Sequence, residues 1–402
     1  MTTLNRRGLL RAGTAATLGF GLGIGLKASS LADDAGTPAA GMAGIGPGAL
    51  ADLGRRLEGT LLVPGDAGYE AQSRPSNGRF RHTRPLAVAQ VAHETDVATC
   101  ILWSQENGVP LVGRGGGHSY AGFSTTTGLL IDIRQLSTVV INQGDRAAII
   151  GGGAVNRDYF NLTADGPLFL PGGTCLGVGV GGLTLGGGIG YNTHWAGLTC
   201  DHLRSSRIIT ASGELLEIDE DNHGDLFWAC RGGAGGNFGI NTSLTFDLVE
   251  APQSNVTFYR FDWRGADAAA AVFATFHAIL QSAPPALNAV AQAQASEVGD
   301  GGPRAAIDVF SRGQYIGPIS ELLDLVSPLL AAAKPTQATI QEMTFWDMQR
   351  MFVSEEADWH SYGDISRYAA APIPDRAIGD LVDLLAACPS RTATANGSLW
   401  SL

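Results

Sequence analysis

Gly115-Gly116-Gly117-His118-Ser119-Tyr120, followed by Gly172-Gly173-Thr174-Cys175 and the run Val178-Gly179-Val180-Gly181-Gly182-Leu183-Thr184-Leu185-Gly186-Gly187-Gly188, is the part of the chain whose reading decides the fold. Each stretch couples bare, glycine-lined backbone to one side chain able to form a covalent bond, His118 in the first and Cys175 in the second. Glycine lets main-chain N–H groups approach a pyrophosphate with no Cβ in the way, and successive N–H groups form concavities that bind anions. The pair therefore points to an extended, phosphate-bearing cofactor.

Gly177-x-Gly179-x-x-Gly182 also matches the dinucleotide fingerprint, with Asp201 at about the spacing of a ribose-binding acid. That fingerprint needs a strand before it and a helix after it. Here Pro171-Gly172-Gly173 breaks the approach and Gly186-Gly187-Gly188 the exit, so a nicotinamide site is set aside. No Gly-x-x-x-x-Gly-Lys occurs, which excludes a P-loop.

Outward from the glycine stretches, strand and helix alternate. Pro85–Val88 reads as a strand, and apolar residues at three- and four-residue steps then predict a helix ending at Asn107, before Gly108. Val109–Val112 reads as the strand delivering the Arg114–Tyr120 loop, Leu129–Ile133 and Ala147–Ile150 as further strands, and Arg157–Ala164 as a short helix. Arg207–Ala211 and Leu215–Ile218 form a predicted hairpin about Ser212-Gly213. After Glu250 the texture changes, with helical patterns at Asp267–Ser282 and Ile319–Ala332 and a strand pattern at Arg304–Phe310, which marks a second domain.

In order and in density the motifs resemble the FAD-linked oxidases of the berberine bridge enzyme-like family, within the vanillyl-alcohol oxidase superfamily with its PCMH-type FAD-binding domain. The resemblance runs from about Gly59 to about Glu250. It implies an α+β fold: a PCMH-type FAD-binding domain of two α/β subdomains over 51–250, then an α+β substrate-binding domain over 251–402. It implies that Arg114, Gly115, Gly116, Gly117 and Ser119 form the pyrophosphate loop, that His118 bonds the flavin 8α-methyl, and that Cys175 bonds the flavin C6 carbon. Val178, Gly179, Gly181, Gly182, Gly187 and Gly188 would line the cofactor. Gly197-Leu198-Thr199-Cys200-Asp201 resembles the turn that steers the chain back under it, and Gly236, Asn237, Gly239 and Ile240 belong to a segment closing the domain near the adenine end.

Two departures stand out. Leu176-Gly177 occupies the place of a common Pro-Thr, and Leu183 replaces a histidine that many members carry eight residues after the cysteine. Leucine cannot balance negative charge on a reduced flavin, which leaves that task to the tethers and backbone dipoles. A valine at the position of Val178 is associated in the family with oxygen access. Tyr120 corresponds to a substrate-touching tyrosine, and Tyr362 and Tyr368 are the candidate bases in the second domain, although family members often take the base from a C-terminal segment that folds back on the flavin domain. Ser398–Leu402 reads as the start of a strand, so that closing segment is expected to be missing.

The N-terminus reads as an address. Asn5-Arg6-Arg7-Gly8-Leu9-Leu10-Arg11 precedes a glycine-rich apolar stretch and the small residues Ser30-Leu31-Ala32, the pattern of a twin-arginine export signal over 1–32, with a linker over 33–50. The stretch is short for a membrane span, so no stable anchor is expected. The formal charge is −12, and cleavage after residue 32 would take it to −16. With Lys27 and Lys334 the only lysines, a nucleic-acid partner is excluded by lack of clustered cations. Five cysteines without a Cys-x-x-Cys make a metal site improbable, and Cys100, Cys200, Cys230 and Cys388 read as buried thiols before disulfides.

The function expected is that of a secreted or periplasmic FAD oxidase, doubly tethered at His118 and Cys175, that oxidises a C–OH or C–N centre of a small molecule and reduces molecular oxygen to peroxide. A dehydrogenase with another acceptor and a non-catalytic flavin-fold binding protein are the alternatives.

Overall fold

A computed structural model describes residues 45–295, 306–355, 360–366, 368–369, 371–387 and 395–400. The twin-arginine leader, the linker before residue 45 and Cys388 lie outside the described residues. Helix α1 (Pro47–Arg56) begins inside the stretch read as linker, with proline in its first turn, where the missing N–H costs nothing. Next come β1 (Thr60–Leu62), α2 (Tyr69–Ser73), β2 (Ala87–Gln90), α3 (Glu94–Asn107), β3 (Leu111–Arg114) and β4 (Leu129–Asp132), which form a sheet in the order β1-β2-β4-β3. β2 and β3 both run parallel to the central β4, and every β4 residue is buried. Asp96 fixes the entry to α3, its carboxylate accepting the N–H groups of Glu58, Gly59 and Ala92.

The second sheet is wholly antiparallel. It is built from β5 (Val139–Asn142), β6 (Ala147–Gly151), β8 (Leu203–Ile209), β9 (Leu215–Ile218) and β10 (Ile240–Asp247), in the order β5-β6-β10-β8-β9. Between β6 and β8 lie α4 (Asn156–Thr163), β7 (Leu168–Phe169), α5 (Val180–Leu185) and α6 (Thr193–Ala196); α7 (Gly224–Ala229) precedes β10, and β11 (Val249–Glu250) pairs with β7. The glycine run thus holds one six-residue helix, α5, and its last three glycines stay outside it. No strand leads directly into the fingerprint, which removes the dinucleotide reading.

A third sheet, antiparallel throughout, has the order β15-β12-β14-β13-β16: β12 is Val256–Arg264, β13 Leu287–Ala295, β14 Ile307–Tyr315, β15 Gln337–Met343 and β16 Ala395–Trp400. Helices α8 (Ala266–Leu280), α9 (Ile319–Ala332) and α11 (Asp375–Ala386) cover one face, burying Tyr259, Phe261, Trp263, Phe273 and Phe276. The other face meets the flavin half through α10 (Phe345–Phe352), where Phe169, Tyr191, Phe258 and Phe352 share a core. Among the described residues no helix is long and apolar enough to cross a membrane.

Candidate flavin site and its aromatic pair

The two glycine motifs meet main chain to main chain. A Cβ on Gly116 would come within 2.7 Å of the Gly177 carbonyl oxygen and closer still to the Gly179 nitrogen, and one on Gly181 would lie 2.8 Å from the Gly152 oxygen. The glycines of 115–117, 151–153 and 177–181 therefore form one cradle in which main chain meets main chain. Gly182 opens to solvent beside it, while Gly187 and Gly188 turn with positive φ of 111° and 89°.

Arg114 shapes this cradle from beneath. It is 2 % exposed. Its guanidinium donates to the carbonyls of Ser124 (2.7 Å), Gln72 (2.6 Å), Arg74 (3.3 Å) and Ser73 (3.0 Å). Desolvation, partly offset by Asp132, pushes its pKa down to about 10. The resemblance places it in the pyrophosphate loop, and these four bonds to backbone carbonyls hold that loop in shape. Ser119 Oγ accepts from the Phe123 N–H (3.0 Å), and Ser124 Oγ donates to the Gly117 oxygen (3.1 Å). His118 is half-buried in this loop.

Cys175, also half-buried, lies on a short bridge to Ser354 just past α10. Ser354 N–H donates to Thr174 O (3.0 Å), Leu176 N–H donates to Ser354 O (3.0 Å), and Ser354 Oγ lies 3.5 Å from Cys175 Sγ. Asn156, at the start of α4, donates from Nδ2 to Cys175 O (3.0 Å) and Gly173 O (3.3 Å), and its N–H reaches Val178 O (2.9 Å). Its Oδ1 is buried with no partner in the structure. A buried acceptor left open costs about 1–3 kcal/mol, and a ligand N–H would relieve it. The backbone cradle and this open acceptor fit a flavin nucleotide.

The tyrosines divide. Tyr120 and Tyr362 make an edge-to-face pair, 5.2 Å between centroids at 85°, with His360 5.3 Å from Tyr362. Tyr368 is 77 % exposed and shares no described contact with that pair. Tyr362 is pushed up to about 12 by desolvation and then by the charges of Tyr120, Cys175 and Asp364; Tyr120 is raised by desolvation first and then by Cys175 and Asp364. Both phenols keep their protons at neutral pH and can donate hydrogen bonds.

The residue that sequence reasoning missed here is Asn77, fully buried. Its Nδ2 donates to Tyr120 O (3.2 Å) and Tyr362 O (2.9 Å), and its Oδ1 accepts from Tyr362 N–H (3.2 Å) and Arg79 N–H (3.0 Å). An asparagine before a glycine reads as a turn, and nothing in the sequence marks it as a clip between segments 285 positions apart.

Five other expected cofactor residues, Asp201, Gly236, Asn237, Gly239 and Ile240, make local contacts. Asp201 is exposed and accepts the Leu198 N–H (3.0 Å), capping its turn. Asn237 donates to Gly233 O (2.9 Å), beside the exposed Gly236. Gly239, at φ 156°, lets the chain pass the Ile209 carbonyl, after which Ile240 is buried in the first core, the one it shares with Val97, Leu129 and Ile131 of the β1–β4 sheet and its helix. Cys100 and Cys230 are buried free thiols, and Cys200 is buried as well.

Known proteins resemble this arrangement. A family model described as FAD binding domain matches residues 85–219. The Uncharacterized FAD-linked oxidoreductase YgaK of Bacillus subtilis is 32 % identical over 351 residues, which span 86 % of this chain and 74 % of that protein. Among solved structures, Physcomitrella patens BBE-like 1 superposes with a TM-score of 0.74 at 22 % identity, over 87 % of this chain and 77 % of that one. Glucooligosaccharide oxidase from Acremonium strictum, described with a 6-S-cysteinyl, 8α-N1-histidyl FAD, superposes with a TM-score of 0.70 at 25 % identity, over 85 % and 71 %.

Proposed function

The chain belongs to the FAD-linked oxidoreductases built on a PCMH-type flavin-binding domain, the berberine bridge enzyme-like proteins among them, and from that premise we propose that it is an oxidase of sugar or polyol alcohols whose FAD is tethered to both His118 and Cys175. The observation that carries this reading is the contact of the two glycine loops at Gly116 and Gly179, which brings the main chains bearing the two reactive side chains against one cradle. The doubly linked FAD of glucooligosaccharide oxidase supports it. When bound, FAD supplies the two-electron acceptor: the substrate C–H leaves as hydride, the hydroxyl proton leaves to a base, and O2 takes two electrons and two protons to become H2O2.

This chain's residues supply position and polarity. Main-chain N–H groups of the cradle hold phosphate, and Asn156 Oδ1 accepts a ligand N–H. Tyr120 and Tyr362, protonated, orient the substrate hydroxyl by donating to its oxygen. Ser354 fixes the segment that carries Cys175. Export in the folded state through Arg6-Arg7 is part of the proposal, and a Lys-Lys variant should stay in the cytoplasm.

Acid-precipitated protein should stay yellow, peptide mass analysis should find flavin on both His118 and Cys175, and a panel of sugars and alcohols should release peroxide in air. Colour lost to the supernatant removes the tethers. Flavin reduction by a substrate without peroxide makes the protein a dehydrogenase.

A further inference from the structure

Alternation along the third sheet puts Tyr259, Phe261 and Trp263 under the helices and leaves Phe258, Arg260 and Asp262 of β12 on the opposite face, with Phe310, Arg312 and Gln314 of β14 beside them. This is the face that meets the flavin half. Gln314 Nε2 donates to Tyr191 O (2.8 Å) and Asn192 Oδ1 (2.6 Å), residues that follow directly on the glycine run. Tyr191 lines one cavity with Gly172, Gly173 and Thr174, and its ring stacks on Phe352 at 3.9 Å, two residues before the serine that touches Cys175.

On that face two arginines stand opposite each other, Arg260 paired with Arg312 across the β12–β14 ladder. Like charges so placed disfavour the sheet. Asp262 answers only one of them, at 2.7 Å from Arg260 Nη2. Arg312 donates Nε to Tyr191 Oη (2.7 Å) and lies over the rings of Tyr191 (5.3 Å) and Phe310 (5.6 Å). Among the described residues no carboxylate pairs with it. Arg312 is thus a half-buried guanidinium whose ring contacts fix its orientation and which has no acid partner among the described residues, a geometry open to an outside anion. The planar fork matches a carboxylate.

We propose that Arg312, backed by Arg260, binds a carboxylate on the substrate, so that the alcohol oxidised belongs to an acid-bearing sugar or hydroxy acid. The inference rests on the oxidase reading for its catalytic meaning, but not for its binding test. D-Glucuronate and D-glucose share the ring and the anomeric hydroxyl and differ in the carboxylate. Binding of each to the flavin-loaded protein is measured by calorimetry and by the shift in melting temperature, at low and high salt.

Glucuronate should bind more tightly than glucose, and salt should weaken its binding. Arg312→Gln should loosen glucuronate by about ten- to a hundredfold, the range of a charge-assisted contact, with glucose and flavin content unchanged. Arg312→Lys, which keeps charge without the fork, should fall between. Equal binding of the two sugars, binding of neither, or loss of flavin in Arg312→Gln overturns the proposal. Glucuronate binding with no peroxide from any sugar leaves the proposal standing and removes the oxidase reading; peroxide from glucose, with glucuronate bound no more tightly than glucose, does the reverse.

Discussion

A methyl group on Gly116 would have to displace either the Gly179 amide or the Gly177 carbonyl. Backbone cannot yield as a flexible side chain does, and overpacking of this kind costs about 1–3 kcal/mol. Gly116→Ala should therefore melt at a lower temperature and retain less flavin after acid precipitation; full flavin retention would show that the two loops tolerate separation. Val178 is a second residue-scale test. Val178→Ile should slow reoxidation of the reduced flavin by oxygen while leaving anaerobic reduction by substrate nearly unchanged, and equal reoxidation rates in stopped flow would discount a gas path there. The meeting of the glycine stretches was legible in the sequence because close backbone approach permits few residue types. Asn77, Asn156 and Ser354 were not, since each is an ordinary polar residue until the fold supplies its partner.

Elements were readable where local pattern and packing agree. The helix predicted over Ile319–Ala332 forms over that span and runs through Pro328, its buried Leu322, Val326 and Leu329 recurring on one face. Its apolar stripe outweighs the proline. In the glycine run the local signal is poor for a helix, and α5 forms because Gly181 packs against the Gly152 carbonyl, a contact that sequence alone does not specify. The loop carrying Tyr120 and the segment carrying Tyr362 are likewise joined from outside, by Asn77. Asn77→Ala leaves those backbone groups unpaired, at a cost of about 1–3 kcal/mol. Turnover should fall with flavin content retained, because the phenols lose their common alignment while the cradle stays intact. Asn77→Asp keeps the acceptor for Arg79 and Tyr362 but not the donor, and should recover stability more than turnover. If both variants keep wild-type kcat, the clip does not position the tyrosines.

At the scale of the whole molecule, an ion pair ties the two sheets of the flavin half together. Arg207 on β8 meets Glu94 at the start of α3 with Nε–Oε1 at 3.0 Å, and Thr242 on β10 donates to the same carboxylate. The Arg207 hydrogen bond is the main cause holding the Glu94 pKa below its ordinary 4.5, with desolvation opposing it and Thr242 adding to it. A carboxylate whose folded pKa is depressed contributes stability that is fully present above its unfolded value and is lost as pH falls through the folded one. The melting temperature should therefore hold above about pH 4.5 and decline below it. Glu94→Gln removes the charge and keeps the shape. Its melting temperature should lie below wild type at pH 7, and its decline on acidification should be shallower, so that the two curves converge at low pH. Parallel curves from pH 7 to pH 3 would mean that the acid limb belongs to other carboxylates and that the two sheets are held together by apolar packing such as that of Ile209 and Ile240 in the first core.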